Sequence, residues 1–352
     1  VGLLVILDKI KKMFTGYFAL VMATGALSVA TNLLGYQMVS EVLLIVNTVF
    51  YIILAILVVI RVIFYFPYVK NDLTSHLHGP GFFTLVAGTN VYGVQLIVIS
   101  GSYNISVNLW IISMVLWVII MYSFFTAVTI RENKPSLVEG INGAWLIAAV
   151  ATQSISVLGT LVADSGVSSQ ISEWIFFISI SMYLLGGMLY LSIITLIFYR
   201  FTFLNFKHAS LTPPYWINMG AVAITALAGS MIVLHSDTSQ LIQQFLPFVK
   251  GFTLFFWVTG TWWIPLLVIL MVWRYIIKKY PINYDQQMWG MVFPLAMYTT
   301  ATYQLSEALG ISFLAQVSHV FVYPAIITWV LGVILLLFHL VRDVIIKKEN
   351  NA

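Results

Sequence analysis

Ten stretches of this chain are long and apolar enough to cross a lipid bilayer, and few charges interrupt them. They lie at about 15–34, 43–66, 81–100, 108–128, 142–161, 175–200, 216–235, 245–273, 288–307 and 321–341. A spanning helix needs roughly 20 such residues. In hydrocarbon no water is present to bond the backbone, so each span must be helical or part of a closed barrel. Charged residues make up 8% of the chain and apolar ones 61%, whereas soluble domains carry roughly 25% charge. That balance excludes a soluble enzyme and predicts an all-α integral membrane protein in the lipid bilayer. Residues 1–14 read as a cytoplasmic or interfacial segment, 15–342 as a single ten-helix transmembrane channel domain, and 343–352 as a cytoplasmic tail.

The charges orient the spans. Of 16 basic residues, 15 fall before span one or after the even spans; only Lys250, near the start of span eight, faces the other way. The positive-inside rule then places both termini in the cytoplasm of a plasma (inner) membrane protein. The net charge of +4 follows the membrane and forms no dense patch, so no nucleic acid partner is expected. Cysteine is absent, which removes disulfides and thiolate metal sites. Lys9, Lys11 and Lys12 follow the first apolar residues, the wrong order for a cleavable signal. That segment reads as a short amphipathic helix on the membrane surface.

The spans are of two kinds. In twenty-residue windows, Gly, Ala, Ser and Thr make up 42 of 100 residues in the odd spans and 18 of 100 in the even ones. Small residues allow close backbone approach, and hydroxyls need protein or water around them. Five hairpins in a quasi-five-fold arrangement follow, with odd helices forming an inner pore ring and even helices an outer ring. A repeat of about 65 to 75 residues supports this reading. Each odd span opens on aromatics with Gly or Pro: Gly16-Tyr17-Phe18, Pro80-Gly81-Phe82-Phe83, Gly143-Ala144-Trp145, Pro213-Pro214-Tyr215-Trp216 and Trp289-Gly290. Aromatics also belt any membrane interface.

All five odd helices begin on the basic side, so their positive dipole ends converge there. Inside the odd windows the only titratable groups of Asp, Glu, Lys, Arg or His type are His235 and Glu307, both at window ends. A positive mouth without fixed negative charge suits small inorganic or organic anions. Candidate lining residues are Thr24, Gly25, Gly88, Thr89, Asn90, Thr152, Gln153, Asn218, Gly220, Thr299 and Thr300, together with the aromatics Phe18, Phe83, Trp145 and Trp216. The same hydroxyls and amides equally serve as hydrogen-bonding glue between helices. Phe293 stands at mid-depth in span nine before Pro294, and Thr299, Thr300, Thr302 and Gln304 follow. Proline removes one helical hydrogen bond and bends the helix. Phe293 is either a core residue or an aromatic plug that blocks flow by bulk and dewetting.

Four motifs carry a resemblance across nearly the whole chain. They are Tyr17-Phe18-Ala19-Leu20-Val21-Met22-Ala23-Thr24-Gly25, Pro80-Gly81-Phe82-Phe83-Thr84-Leu85-Val86-Ala87-Gly88-Thr89, Leu211-Thr212-Pro213-Pro214-Tyr215-Trp216-Ile217-Asn218-Met219-Gly220 and Val292-Phe293-Pro294-Leu295. The ordered set resembles the tellurite-resistance/dicarboxylate transporter family, which includes the slow anion channels of plant guard cells. The resemblance implies a homotrimer with one pore per protomer, and a pore occluded by a phenylalanine on the ninth helix, here Phe293. It also implies kinked inner helices, with Pro294 as the gate-helix kink. Phe14-Thr15 stands where the family places a proline before Gly16-Tyr17-Phe18, which leaves the kink of span one open.

Two rival readings remain. A proton-coupled carrier for four-carbon dicarboxylates or sulfite would need a titratable group in the path; the candidates are His235, Glu307, His319 on the loop before span ten, and His339. An intramembrane metal-dependent enzyme would rest on His76-Leu77-His78 with Asp72, yet no second histidine pair completes a zinc set. No metal, no other cofactor and no catalytic residue is expected.

Overall fold

The computed structural model describes residues 2–165, 168–282 and 284–349, and all regular structure among them is helical. Ten long helices follow an N-terminal helix, Gly2–Lys11. They are α1 (Ala19–Leu33), α2 (Gln37–Phe64), α3 (Phe83–Ser100), α4 (Tyr103–Ile130) and α5 (Ile147–Ala163). Then come α6 (Ser169–Phe203), α7 (Ile217–Leu234), α8 (Gln240–Val272), α9 (Trp289–Leu309) and α10 (Ser312–Glu349). The helix that begins at Ser312 thus runs on through most of the expected tail; residues 350–352 lie outside the described residues.

Eight of the ten, α2 to α8 and α10, are long and apolar enough to cross a membrane. The expected count was ten, and the two others have physical reasons to differ. Helix α1 has only 15 residues. Helix α9 carries Thr299, Thr300, Thr302, Gln304, Ser306 and Glu307, which lower its apolarity. Both are wrapped by protein: every residue of α1 from Ala19 to Thr31 is buried. A helix screened from lipid needs neither full length nor full hydrophobicity.

The turns explain the boundaries. Short 3-10 turns, Gly79–Phe82, Gly143–Leu146, Pro213–Trp216 and Gln286–Met288, lead into α3, α5, α7 and α9. The first three are Gly, Pro and aromatic motifs of the repeat, and the fourth leads into the Trp289-Gly290 motif that opens α9. Proline suits a first turn, where its missing N–H is not needed. Asn142 and Asp285 accept from the backbone N–H of Ala144 and Gln287, which caps two of these starts. At the opposite end, Gly35, Gly101 and Gly310 take positive φ of 85°, 64° and 67° and turn α1, α3 and α9 into their partners within a few residues.

Consecutive helices pair as five hairpins. Each odd helix also packs on the next odd helix, and α9 packs back on α1, so the odd helices close a cycle. Each even helix rests on its hairpin partner and on one further odd helix: α2 on α3, α4 on α5, α6 on α7, α8 on α9 and α10 on α1. Burial separates the two sets. The most apolar windows of α3, α5 and α7 are 78%, 94% and 94% buried, while those of the five even helices lie between 17% and 39%. Composition and burial thus sort the helices identically.

Candidate functional site

Two cavities lie inside the cycle of odd helices. The larger, about 430 Å³, sits where those helices begin and reaches the loop residues Leu77, His78 and Glu139. All five odd helices contribute: Met22 of α1, Thr84 of α3, Val150 of α5, Ile217 of α7, and Gly290 and Phe293 of α9. The smaller, about 20 Å³, is lined by Ala26 and Val29, Val91 and Val94, Ser154 and Val157, Ile224 and Leu227, and Met297 and Thr300. Again every odd helix is represented.

The register of the two sets locates what divides them. On α1, α5 and α9 the nearest liners are four residues apart: Met22 and Ala26, Val150 and Ser154, Phe293 and Met297. Four helical residues rise about 6 Å, so about one layer of side chains separates the cavities. Phe293 belongs to that layer and is 1% exposed. On α3 and α7 the liners are seven apart, Thr84 to Val91 and Ile217 to Ile224. The intervening residues include the small Ala87, Gly88, Gly220 and Ala221 beside the larger Val86, Asn90, Met219 and Val222. Gly220 is needed for close approach: a Cβ there would lie 2.7 Å from Cγ of Pro294.

Of the residues read from sequence as lining, Phe293 and Thr300 line these cavities. The others stand at helix contacts. Trp329 Nε1 donates to Thr24 at 3.0 Å, Trp117 Nε1 to Thr152 at 2.9 Å, and the Tyr51 hydroxyl meets Thr89 at 3.3 Å. Trp257 does the same to Thr302 at 2.9 Å. Each indole or phenol partner sits on an even helix and each threonine on the next odd one, so the inner hydroxyls face outward. Thr299 bonds the Leu295 carbonyl at 2.9 Å. Gly25 admits Val91 and Asn47, and Gly88 admits Phe18. Asn218 is fully buried, and its carbonyl accepts from Tyr190. Asn90 bonds Ser154 at 3.0 Å, and Gln153 donates to the Tyr183 carbonyl at 2.8 Å. Phe18 packs on Tyr51 and Phe83 on Phe124. Trp145 donates to the His76 and Gly140 carbonyls, and Trp216 is buried. The smaller cavity is lined instead largely by Met, Val, Ile, Leu and Ala, which a polarity-based reading passes over.

Thr152→Val tests this placement. The valine keeps the shape but leaves the buried Trp117 N–H without its acceptor. Stability should fall by about 1 kcal/mol, within the range for such bonds in membranes, and ion selectivity should not move. A thermal-unfolding midpoint measured beside reversal potentials checks both halves; a changed selectivity would return Thr152 to the axis.

Arginines tie the starts of the odd helices in place. Arg61, near the end of α2, bonds the Lys11 carbonyl at 3.3 Å and pairs with Asp72. Arg131, after α4, reaches the Thr74 carbonyl at 3.4 Å. Arg200, in the last turn of α6, donates to the Ile141 carbonyl and the Tyr215 hydroxyl. Arg274, after α8, donates to the carbonyls of His208, at 3.1 Å, and Leu211. Four of the five even helices, α2, α4, α6 and α8, thereby grip the segment leading into their own hairpin partners. A cation at a helix C-terminus is favoured by the dipole, and buried loop carbonyls need donors.

The titratable groups of the carrier reading lie elsewhere, while His78 of the metal-enzyme reading reaches the larger cavity. His235 ends α7, 3.7 Å from Asp164. Glu307 is in the last turn of α9, and His319 and His339 lie within α10. His319 is therefore helical, because the Gly310-Ile311 turn is only two residues long. None of the four lines either axial cavity. His76 packs against Trp145, and burial, followed by the Arg131 and Lys134 charges, holds it below the ordinary histidine range. His78 faces Asp72 at 3.3 Å. Among the described residues no three of His, Cys, Asp or Glu group as a metal site.

The profile of a family described as voltage-dependent anion channels matches residues 13–337. An uncharacterized membrane protein of Mycobacterium tuberculosis is 33% identical over 156 residues, covering 44% of this chain and 79% of that protein. Two uncharacterized transporters of Methanocaldococcus jannaschii are each 23% identical. One match covers 86% of this chain and 87% of the relative, the other 84% of both.

Proposed function

The chain belongs to the voltage-dependent anion channel family, and from that premise we propose that it is a passive anion channel whose closed pore is occluded by Phe293. In this reading all ten helices cross the bilayer, and the cycle of odd helices is a quasi-five-fold pore ring. Both termini are cytoplasmic, the membrane is the plasma membrane, and the assembly is a homotrimer of separate pores. The links to tellurite resistance and dicarboxylates that attach to the resemblance belong to the same proposal. The observation that carries it is the pair of cavities on either side of the Phe293 layer. Among the described residues no carboxylate and no histidine lines the smaller cavity, so nothing there traps a cation or carries a proton. An aromatic plug opens by changing rotamer, and dewetting keeps the closed path dry. Pro294 removes one backbone bond at the same level, which makes bending of α9 a second way to clear the ring.

Flux into liposomes separates this from a carrier. A channel passes chloride or nitrate down its gradient, builds a membrane potential of the Nernst sign for an anion, and ignores a collapsed pH gradient. Uphill accumulation of dicarboxylate or sulfite that stops when a protonophore is added would replace the channel with a proton-coupled carrier.

A further inference from the structure

A groove of about 640 Å³ opens beside the cycle of odd helices, at the end where those helices begin. Its walls are the outer helices α2 and α10, and its floor is the start of α1. Both are apolar: Leu20, Phe50, Leu54, Leu57, Leu336 and Leu340 line them. From Leu57 inward to Phe50 along α2 is a rise of roughly 10 Å. That is about two thirds of the roughly 15 Å of hydrocarbon in one leaflet. The outer end of the groove is charged. Lys9, Lys12 and Asp8 line it on one side, and Tyr284, Gln286 and His339 on the other. The rings of Tyr284 and His339 stack there at 5.1 Å.

The N-terminal helix that carries Lys9 is anchored away from the groove. Arg61 bonds the Lys11 carbonyl, and the Lys11 ammonium lies over the Tyr68 ring at 4.4 Å. Lys11 is thus taken up by α2 and the segment after it, while Lys9 and Lys12 stay at the groove. Lys12 pairs with Asp8 at 3.0 Å, yet both side chains are more than half exposed. A surface pair of this kind contributes little and yields to a stronger counter-charge. The groove also borders the pore. Phe14 lines both it and the vestibule, the larger of the two axial cavities. Gln286 stands in the turn that leads into α9. An occupant therefore touches the entries to α1 and α9.

We propose that this groove seats one anionic phospholipid, with an acyl chain along α2 and α10 and its phosphate beside Lys9 and Lys12. A basic pocket between membrane helices recognises anionic head groups. Lysine stems lie along apolar surface while their ammonium groups reach the phosphate. A zwitterionic lipid fits the apolar floor equally well but brings its own positive charge to the lysines, so the net negative head is preferred. A second copy of this chain would bury two lysines and a carboxylate, a desolvation cost that a lipid head in water does not impose. The site does not depend on what the pore conducts.

Native mass spectrometry of the full chain tests this. The protein, released from neutral detergent, is titrated with phosphatidylglycerol and phosphatidylcholine of identical chains. The first phosphatidylglycerol should bind roughly tenfold tighter than the first phosphatidylcholine, the scale set by lysines at a membrane surface. Lys9→Gln combined with Lys12→Gln should remove that preference. Lys278→Gln combined with Lys279→Gln, at two exposed lysines after α8, should leave it intact. Leu57→Trp fills the apolar part of the groove and should weaken both lipids. Equal binding of the two lipids to the parent overturns the proposal. Equal loss in the two lysine variants does so too, because it would mark diffuse attraction to the whole surface. A Leu57→Trp protein that changes its oligomeric state yet keeps the lipid preference would assign the groove to a second copy instead. If that variant does not fold, the headgroup comparison and the two lysine variants decide.

Discussion

Replacing Phe293 with alanine is expected to turn a nearly silent protein into a conducting one. The ring belongs to the one layer that separates the vestibule from the upper cavity. Truncation removes the α9 side chain that lines the vestibule nearest the upper cavity. An anion that must shed water beside an apolar plug meets a barrier of several kcal/mol. Removing even ~3 kcal/mol of it raises the rate roughly a hundredfold. Planar bilayer recordings under a nitrate or chloride gradient give both the size of the current and its reversal potential, which should have the anion sign. Leu295→Ala is the control. Leu295 is on the same helix and 6% exposed, yet lines neither cavity. If it opens the pore as far as Phe293→Ala, loosened packing of α9 explains the current and the plug assignment fails. The stability cost at Phe293 should stay below the roughly 3–5 kcal/mol of a core Phe→Ala change, because part of the ring already faces open space.

Much of this was legible in the sequence, and the missing parts share one cause. Hairpins follow from the spacing of the apolar runs, and the inner and outer helices from their small-residue content. The turns that start the odd helices follow from the Gly, Pro and aromatic motifs, while the caps Asn142 and Asp285 emerge only from the structure. Phe293 could be singled out because proline, depth and the polar run after it coincide. The lining could not be read the same way. Thr24, Thr89 and Thr152 are polar in a buried helix, and polarity has two explanations: water in a pore, or a donor from a neighbouring helix. Choosing between them requires Trp329, Tyr51 and Trp117, which lie far away in the chain. The apolar liners Met22, Val150 and Ile224 carry no signal that separates them from core. The arginines misled in a milder way. Their even spacing reads as membrane topology, whereas the bonds to Lys11, Thr74, Ile141 and Leu211 make them latches.

Gly143→Ala should cost more in folding than any other single methyl considered. A Cβ built on Gly143 lies 2.2 Å from the Pro214 carbonyl oxygen, 2.5 Å from its carbon and 2.6 Å from the Tyr215 nitrogen. All three are backbone atoms, so no side-chain rotation relieves the overlap. The starts of α5 and α7 must separate. Arg200 bonds one end of that contact through Ile141 and the other through Tyr215, so separation strains the latch as well. Overpacking a core costs about 1–3 kcal/mol when side chains can move; here the backbone must, and the upper end of that range or beyond is expected. Gly251 provides the contrast. It lies in α8 with nothing within 4 Å of a Cβ, and alanine there should be neutral or stabilising by up to about 1 kcal/mol through helix propensity. Unfolding midpoints and monodispersity of the two variants, purified in parallel, decide the matter. A Gly143→Ala protein as stable as Gly251→Ala would mean that the starts of α5 and α7 are free to part. The close ring where the odd helices begin, and the vestibule it encloses, would then be one arrangement among several.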